Sequence, residues 1–209
     1  PAGALRPVPT AVPPRASLRR PASEASSSAT AFSRRPRQPD TSWEKDGEDF
    51  YVPDFVSRLS WTPVVFARMT RPGRSIGERF AGRYFESIGH GVLLYPEDMI
   101  DGSPEGFACA SCLDHTSFLP GTTRSKQDCV SFTVRRDGEE VFRHEDTDLG
   151  KIEASISEVS RYCYLRTGDL VAVELQARSP LCRREDGRCT VMCIEGGECA
   201  GDAKFDIIF

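Results

Sequence analysis

The stretch that decides the fold is residues 130–175, VSFTVRRDGEEVFRHEDTDLGKIEASISEVSRYCYLRTGDLVAVEL. It opens with a period of two: Val130, Phe132 and Val134 fall on one side of an extended chain, with polar residues between them. Asp137-Gly138 is a turn pair that tolerates left-handed backbone, and Val141-Phe142 starts a return strand, so the segment predicts a β-hairpin. The period then changes. Ile152, Ile156, Val159 and Cys163 recur at helical spacing over 149–163, with Asp146, Thr147 and Asp148 available as caps. Arg166-Thr167-Gly168-Asp169 turns the chain, and 170–175 is extended again.

Outward from this stretch the pattern stays β-rich. Residues 189–194 read as a strand, Gly196-Gly197 as a turn, and Phe205, Ile207 and Phe209 alternate. Upstream, 62–69 and 90–95 are short apolar runs, 43–61 is mixed, and 101–128 reads as loop because Gly, Pro, Ser and Thr recur throughout. A hairpin, one helix and several strands predict an α+β domain that is mainly β.

The same residues resemble the C-terminal half of the fumarylacetoacetate hydrolase family. That family has a strand pair carrying Asn-Gly-Glu, then a helix, a Leu-Pro-Gly-Asp turn and a strand. Here Arg136-Asp137-Gly138-Glu139 stands at the hairpin turn, 152–162 at the helix, and Leu165-Arg166-Thr167-Gly168-Asp169-Leu170 at the later turn. Asp186-Gly187-Arg188, the run to Cys193, and Glu195-Gly196 are similar to the family's closing pattern. The resemblance implies a hydrolase-like β-rich fold over 46–209, preceded by an extended tail over 1–45.

The departures set the functional expectation. The family holds a divalent metal through a Glu-x-Glu pair and a later Asp, as a hard cation requires clustered oxygen ligands. This chain has no Glu-x-Glu, the family's Asn-Asp pair is absent around 65–70, and its Thr-Gly-Thr-Pro is replaced by Val173-Glu174-Leu175-Gln176. The expectation is therefore a pseudoenzyme with no catalytic residue, no metal ligand and no cofactor. The alternative is a metal-dependent hydrolase or decarboxylase of oxo-acids, with Glu86, Glu97, Asp98 and Asp101 as candidate ligands.

Composition adds a second contrast. Residues 1–40 contain eight prolines, six serines and seven arginines, and such a segment cannot bury a core of its own. Those arginines, Arg6, Arg15, Arg19, Arg20, Arg34, Arg35 and Arg37, face only Glu24 and Asp40, a net of +5. The whole chain is −4, which leaves −9 for residues 41–209. An acidic body is a poor general surface for nucleic acid. The Arg/Ser/Pro-rich, acid-poor leader has the composition of an organelle transit peptide. Its arginines are assigned to contacts with other protein subunits of a large assembly, with nucleic acid and substrate not expected and membrane met only through partners. Together these readings point to a structural subunit in the plastid stroma or on the thylakoid surface, part of a photosystem. A mitochondrial respiratory complex or an organellar ribosome is the alternative setting.

The eight cysteines are Cys109, Cys112, Cys129, Cys163, Cys182, Cys189, Cys193 and Cys199. Several lie in apolar runs, where thiols serve as small core residues, and a reducing compartment is expected. Cys189 and Cys193 would lie about 13 Å apart along a strand, too far to join Cys109-x-x-Cys112 around one ion. His90, His115 and His144 belong to no recognisable motif and are read as satisfied core or surface residues.

Overall fold

Residues Arg58–Met69 and Phe85–Pro96 form one long antiparallel ribbon, pairing from Leu59 opposite Pro96 to Met69 opposite Phe85. Both strands are buried on both faces. This explains why each reads as a continuous apolar run instead of alternating. The structure, a computed structural model, describes residues 38–44, 46–120, 123–127, 131–146, 148–196 and 203–209. The seven tail arginines, Cys129, Val130, Thr147 and Cys199 lie outside the described residues.

In chain order the elements are β1 (Trp43–Glu44), β2 (Phe50–Tyr51), β3 (Arg58–Met69), α1 (Glu78–Ala81), β4 (Phe85–Pro96), α2 (Pro104–Ser111), β5 (Ser117–Phe118) and β6 (Arg124–Ser125). There follow β7 (Phe132–Arg136), β8 (Glu139–His144), α3 (Leu149–Tyr162), β9 (Leu170–Glu174), β10 (Ser179–Arg183), β11 (Thr190–Gly196) and β12 (Ala203–Ile208). One sheet has the order β1-β5-β4-β3-β10, with β6 also on β4 and β9 also on β3. The other runs β2-β12-β11-β7-β8. The fold is α+β and mainly β.

Aromatic contacts join the two sheets. Phe118 of β5 stacks on Phe205 of β12, with centroids 3.6 Å apart, and His90 of β4 stacks on Phe132 of β7 at 4.7 Å. The main core continues under α3 through Ile152 and Ile156, which are fully buried. On the opposite face of the β3–β4 ribbon, Val64, Phe66, Leu93, Tyr95 and Leu119 form a second apolar cluster. Gly89 makes this cluster possible: it pairs with Phe66 across the ribbon, and the Phe66 ring occupies the space a Cβ would take.

The hairpin of 132–144 turns at Asp137 (φ 52°) and Gly138 (φ 85°), two successive left-handed residues that match the twist of the flanking strands. The helix spans Leu149–Tyr162, and Asp148 sits at its N-cap with left-handed backbone and no side-chain capping bond. Two expectations are corrected. The 101–128 region is not all loop: α2 starts where the Ser103 hydroxyl accepts the Gly106 N–H at 3.0 Å and Pro104 supplies a preset φ. The chain also joins the body before residue 46, because β1 pairs with β5 and the Trp43 indole donates to the Leu119 carbonyl at 2.8 Å.

Candidate functional site: a histidine–carboxylate pair at an open recess

The end of the second sheet carries a recess of about 470 Å³ lined by residues of β7, β8 and β11, including Phe132, Thr133, Arg143, His144 and Glu195. His144 is the last residue of β8, and four residues later Asp148 begins α3, so the hairpin and the helix meet here. His144 Nε2 lies 2.9 Å from Asp148 Oδ2, and the Lys151 ammonium lies 2.7 Å from the other Asp148 oxygen. The His144–Asp148 contact is close but off the line of a good hydrogen bond. Phe132 and Phe142 flank the imidazole, with ring centroids 5.8 and 6.2 Å away. Both members are largely buried, His144 at 15% and Asp148 at 6% side-chain exposure, while Lys151 reaches into solvent.

The recess also holds charge. Arg135 pairs with Glu195 at 3.0 Å, and Arg143 grips Glu140 through two hydrogen bonds of 3.0 and 2.8 Å. A histidine beside a buried carboxylate is the arrangement of a general base with its positioning acid. Nothing in the sequence marks this pair as a motif. The signal available was the four-residue spacing of His144 and Asp148 across a strand–helix junction.

The candidate metal ligands do not converge. Asp98 accepts the Ser57 N–H and hydroxyl at 2.7 Å each and the Arg58 N–H at 2.9 Å. Partial burial pushes its carboxyl up, but these donors outweigh that and hold it at about 2. Glu97 accepts the Ser60 hydroxyl. Asp101 accepts the Ser103 N–H and hydroxyl at 2.8 and 2.6 Å, just before α2. Glu86 is at the far end of β4, about 35 Å from Glu97 along an extended strand. Among the described residues no three His, Cys, Asp or Glu side chains group to hold an ion. The donor set therefore does not fit the family's divalent metal.

The other singled-out residues are dispersed. His115 Nδ1 lies 3.1 Å from Glu44, clipping β1 to the turn before β5. Cys109 and Cys112 are exposed near the end of α2, and Cys182 is buried, its thiol pushed up to about 11 by desolvation. Glu174, at the end of β9, accepts the Tyr95 hydroxyl at 2.9 Å where the family carries Thr-Gly-Thr-Pro.

Comparison with solved structures places this architecture. A fumarylacetoacetate hydrolase family protein from Yersinia pestis superposes over 82% of this chain and 83% of its own, at TM-score 0.66 and 18% identity. The chain has the fumarylacetoacetate hydrolase fold. The 2-hydroxyhepta-2,4-diene-1,7-dioate isomerase of Mycobacterium marinum matches over 82% of this chain and 67% of its own, at TM-score 0.68 and 15% identity. Fumarylpyruvate hydrolase of Pseudomonas aeruginosa, solved with Mn2+ and pyruvate, matches over 82% and 77%, at TM-score 0.64 and 14% identity. No protein-family model and no curated protein sequence matches the chain. These neighbours correct the pseudoenzyme expectation: they include a hydrolase and an isomerase, so the fold is that of working enzymes. Gaps in the family's motifs at the sequence level were an insufficient ground for reading catalysis out of the chain.

Proposed function

We propose that this protein is an enzyme of small oxo-acids, a hydrolase or decarboxylase, with His144 as its general base and Asp148 as the residue that positions it. The observation that carries the reading is the fold, shared over four-fifths of the chain with a fumarylpyruvate hydrolase and a dioate isomerase. Fold alone does not fix chemistry. The His144–Asp148 pair supplies the local argument, since C–C hydrolysis and proton abstraction beside a carbonyl both need a base. In the hydrolytic case His144 Nδ1 removes a proton from a water. The hydroxide adds to a ketone carbonyl, the C–C bond breaks, and the leaving carbon takes the proton. The flanking Phe132 and Phe142 rings keep the imidazole partly desolvated.

This reading displaces that of a plastid photosynthetic subunit, for which neither fold nor neighbours offers support. The test is a panel of acylpyruvates and 2-oxo-dicarboxylates, followed by loss of enol absorbance with and without added Mg2+ or Mn2+. Turnover by the full chain that falls at least about a hundredfold in His144→Ala is expected. Equal rates for the two proteins on every substrate would sink the assignment.

A further inference from the structure

The body is acidic as a whole, but one part of its surface has the opposite sign. Residues 68–84 carry Arg68, Arg71, Arg74, Arg79 and Arg83 against Glu78 alone, and residues 160–168 add Arg161 and Arg166 with no acid. That is a net of +6 for the two segments inside a body of −9, and still +4 once Asp169, which accepts the Arg166 N–H, and Glu153, which lies against Gly82, are counted. The fold brings the two segments together. Gly73 and Leu165 exchange backbone hydrogen bonds of 3.0 and 2.9 Å, and the Ser75 N–H donates to the Ser160 carbonyl at 2.8 Å. The Ile76 N–H donates to the buried Ser160 hydroxyl at 2.9 Å. The loop before α1, α1 itself and the end of α3 therefore form one continuous surface.

Six arginines on it, Arg71, Arg74, Arg79, Arg83, Arg161 and Arg166, are exposed, and none forms an ion pair among the described residues. Elsewhere on the body arginines do find carboxylates, as Arg58, Arg135, Arg143 and Arg183 show. Aromatic rings stand among the unpaired guanidinium groups. Of the five large apolar side chains exposed on the described body, three lie here: Phe80 at 39%, Tyr162 at 75% and Tyr164 at 52%. Arg79 and Arg83 both lie over the Phe80 ring, at 4.6 and 5.2 Å from its centroid. Unpaired arginines leave positive charge for a polyanion. Exposed rings between them offer faces on which unpaired bases stack.

We propose that this surface binds single-stranded nucleic acid, with the arginines on phosphates and Tyr162 and Tyr164 under bases. The inference is independent of the oxo-acid reading, which concerns the other end of α3. Charge complementarity alone would also suit an acidic protein. The exposed rings favour the nucleic acid, because stacking is useful where the ligand itself presents π-faces.

The experiment is fluorescence anisotropy of a labelled 12-nucleotide oligouridylate with the full chain, titrated at several salt concentrations. Full engagement of six phosphates would give a log–log salt slope of about −4. Arg74→Glu/Arg79→Glu/Arg166→Glu is expected to weaken binding at least about tenfold, and Tyr162→Ala/Tyr164→Ala roughly fivefold or more. The mutated side chains are exposed, so unchanged melting curves should accompany both losses. Three results would overturn the proposal. One is loss of binding on Arg34→Ser/Arg35→Ser/Arg37→Ser together with no effect of the body variants, which would place binding in the tail. Another is equal or tighter binding of a 12-base-pair duplex. The last is efficient displacement by polyglutamate with no effect of the tyrosine variant, which would mark an acidic protein partner.

Discussion

The turn that follows β4 and the turn that precedes α3 are both short and acidic: Glu97-Asp98-x-x-Asp101 and Glu145-Asp146-x-Asp148. They differ in what meets their carboxylates. In the first, backbone N–H groups and serine hydroxyls of the chain itself donate to Glu97, Asp98 and Asp101, and Arg58 adds an ion pair to Asp98 at 3.6 Å, so each acid closes a loop or orders a helix start. In the second, Asp148 is buried, holds left-handed backbone, and meets two titratable side chains, His144 and Lys151. Acid density does not separate a structural turn from a chemical one. The donors do: N–H, O–H and guanidinium donors that keep their protons build architecture, whereas a histidine can carry the proton away.

The largest expected effect comes from the anchor beneath the second turn. Ile156 is fully buried under α3, which carries Asp148 at its start. Ile156→Ala should cost about 2–5 kcal/mol by chemical denaturation. A loss below about 0.5 kcal/mol would show the helix face to be unpacked and the seat of Asp148 to be loose. Next are His144→Ala and Asp148→Asn. Each should reduce turnover by about a hundredfold, with the folded state retained and KM nearly unchanged. Asn tolerates the left-handed backbone at 148, so a collapse of stability in that variant would make Asp148 a structural acid like those of the first turn.

Asp98 gives the counterpart. Its folded pKa, about 2, is below its ordinary value of 3.8, so its stabilisation is present above pH 4 and is lost as pH falls from about 4 to 2. Because it is partly exposed, Asp98→Ala should remove about 1–2 kcal/mol at neutral pH. The variant's melting temperature should converge on wild type near pH 2. A constant difference across that range would mean the donors do not discriminate the charged form. The smallest effect belongs to Asp101→Ala, which releases only Ser103 at the exposed start of α2. Its melting shift should be the least of the set, and oxo-acid turnover should not change.

The strongest local signals were legible in the sequence. The turn Asp137-Gly138, the period of Ile152 and Ile156 and the alternation of Phe205 and Ile207 each follow from backbone geometry alone, and each lies where expected. Strands β3 and β4 were legible only as apolar runs, because burial on both faces erases alternation. Helix α2 was hidden by its own composition, with Gly106 and Ser111 inside it, although Ser103-Pro104-Glu105 is a competent helix start. Sites were harder to read than strands. Glu97, Asp98 and Asp101 looked like ligands because neighbouring acids are visible in a sequence, while the serines that occupy two of them lie about 40 residues away. The His144–Asp148 pair and the arginine surface depend on how a hairpin, a helix end and a loop are brought together by the fold.

The order β2-β12-β11 carries a consequence for how the molecule is made. Phe50 pairs with Ile207, and the Asp206 N–H donates to Asp49 across a separation of 157 residues. The middle of the second sheet therefore cannot assemble while the chain is still emerging and 203–208 have not been synthesised. Until then β2 has no strand beside it and can recruit one from another nascent copy. Such long-range pairing belongs among the slow steps of folding, on the scale of milliseconds to seconds. A protein built this way gains from a chaperone that covers β2 until β12 arrives.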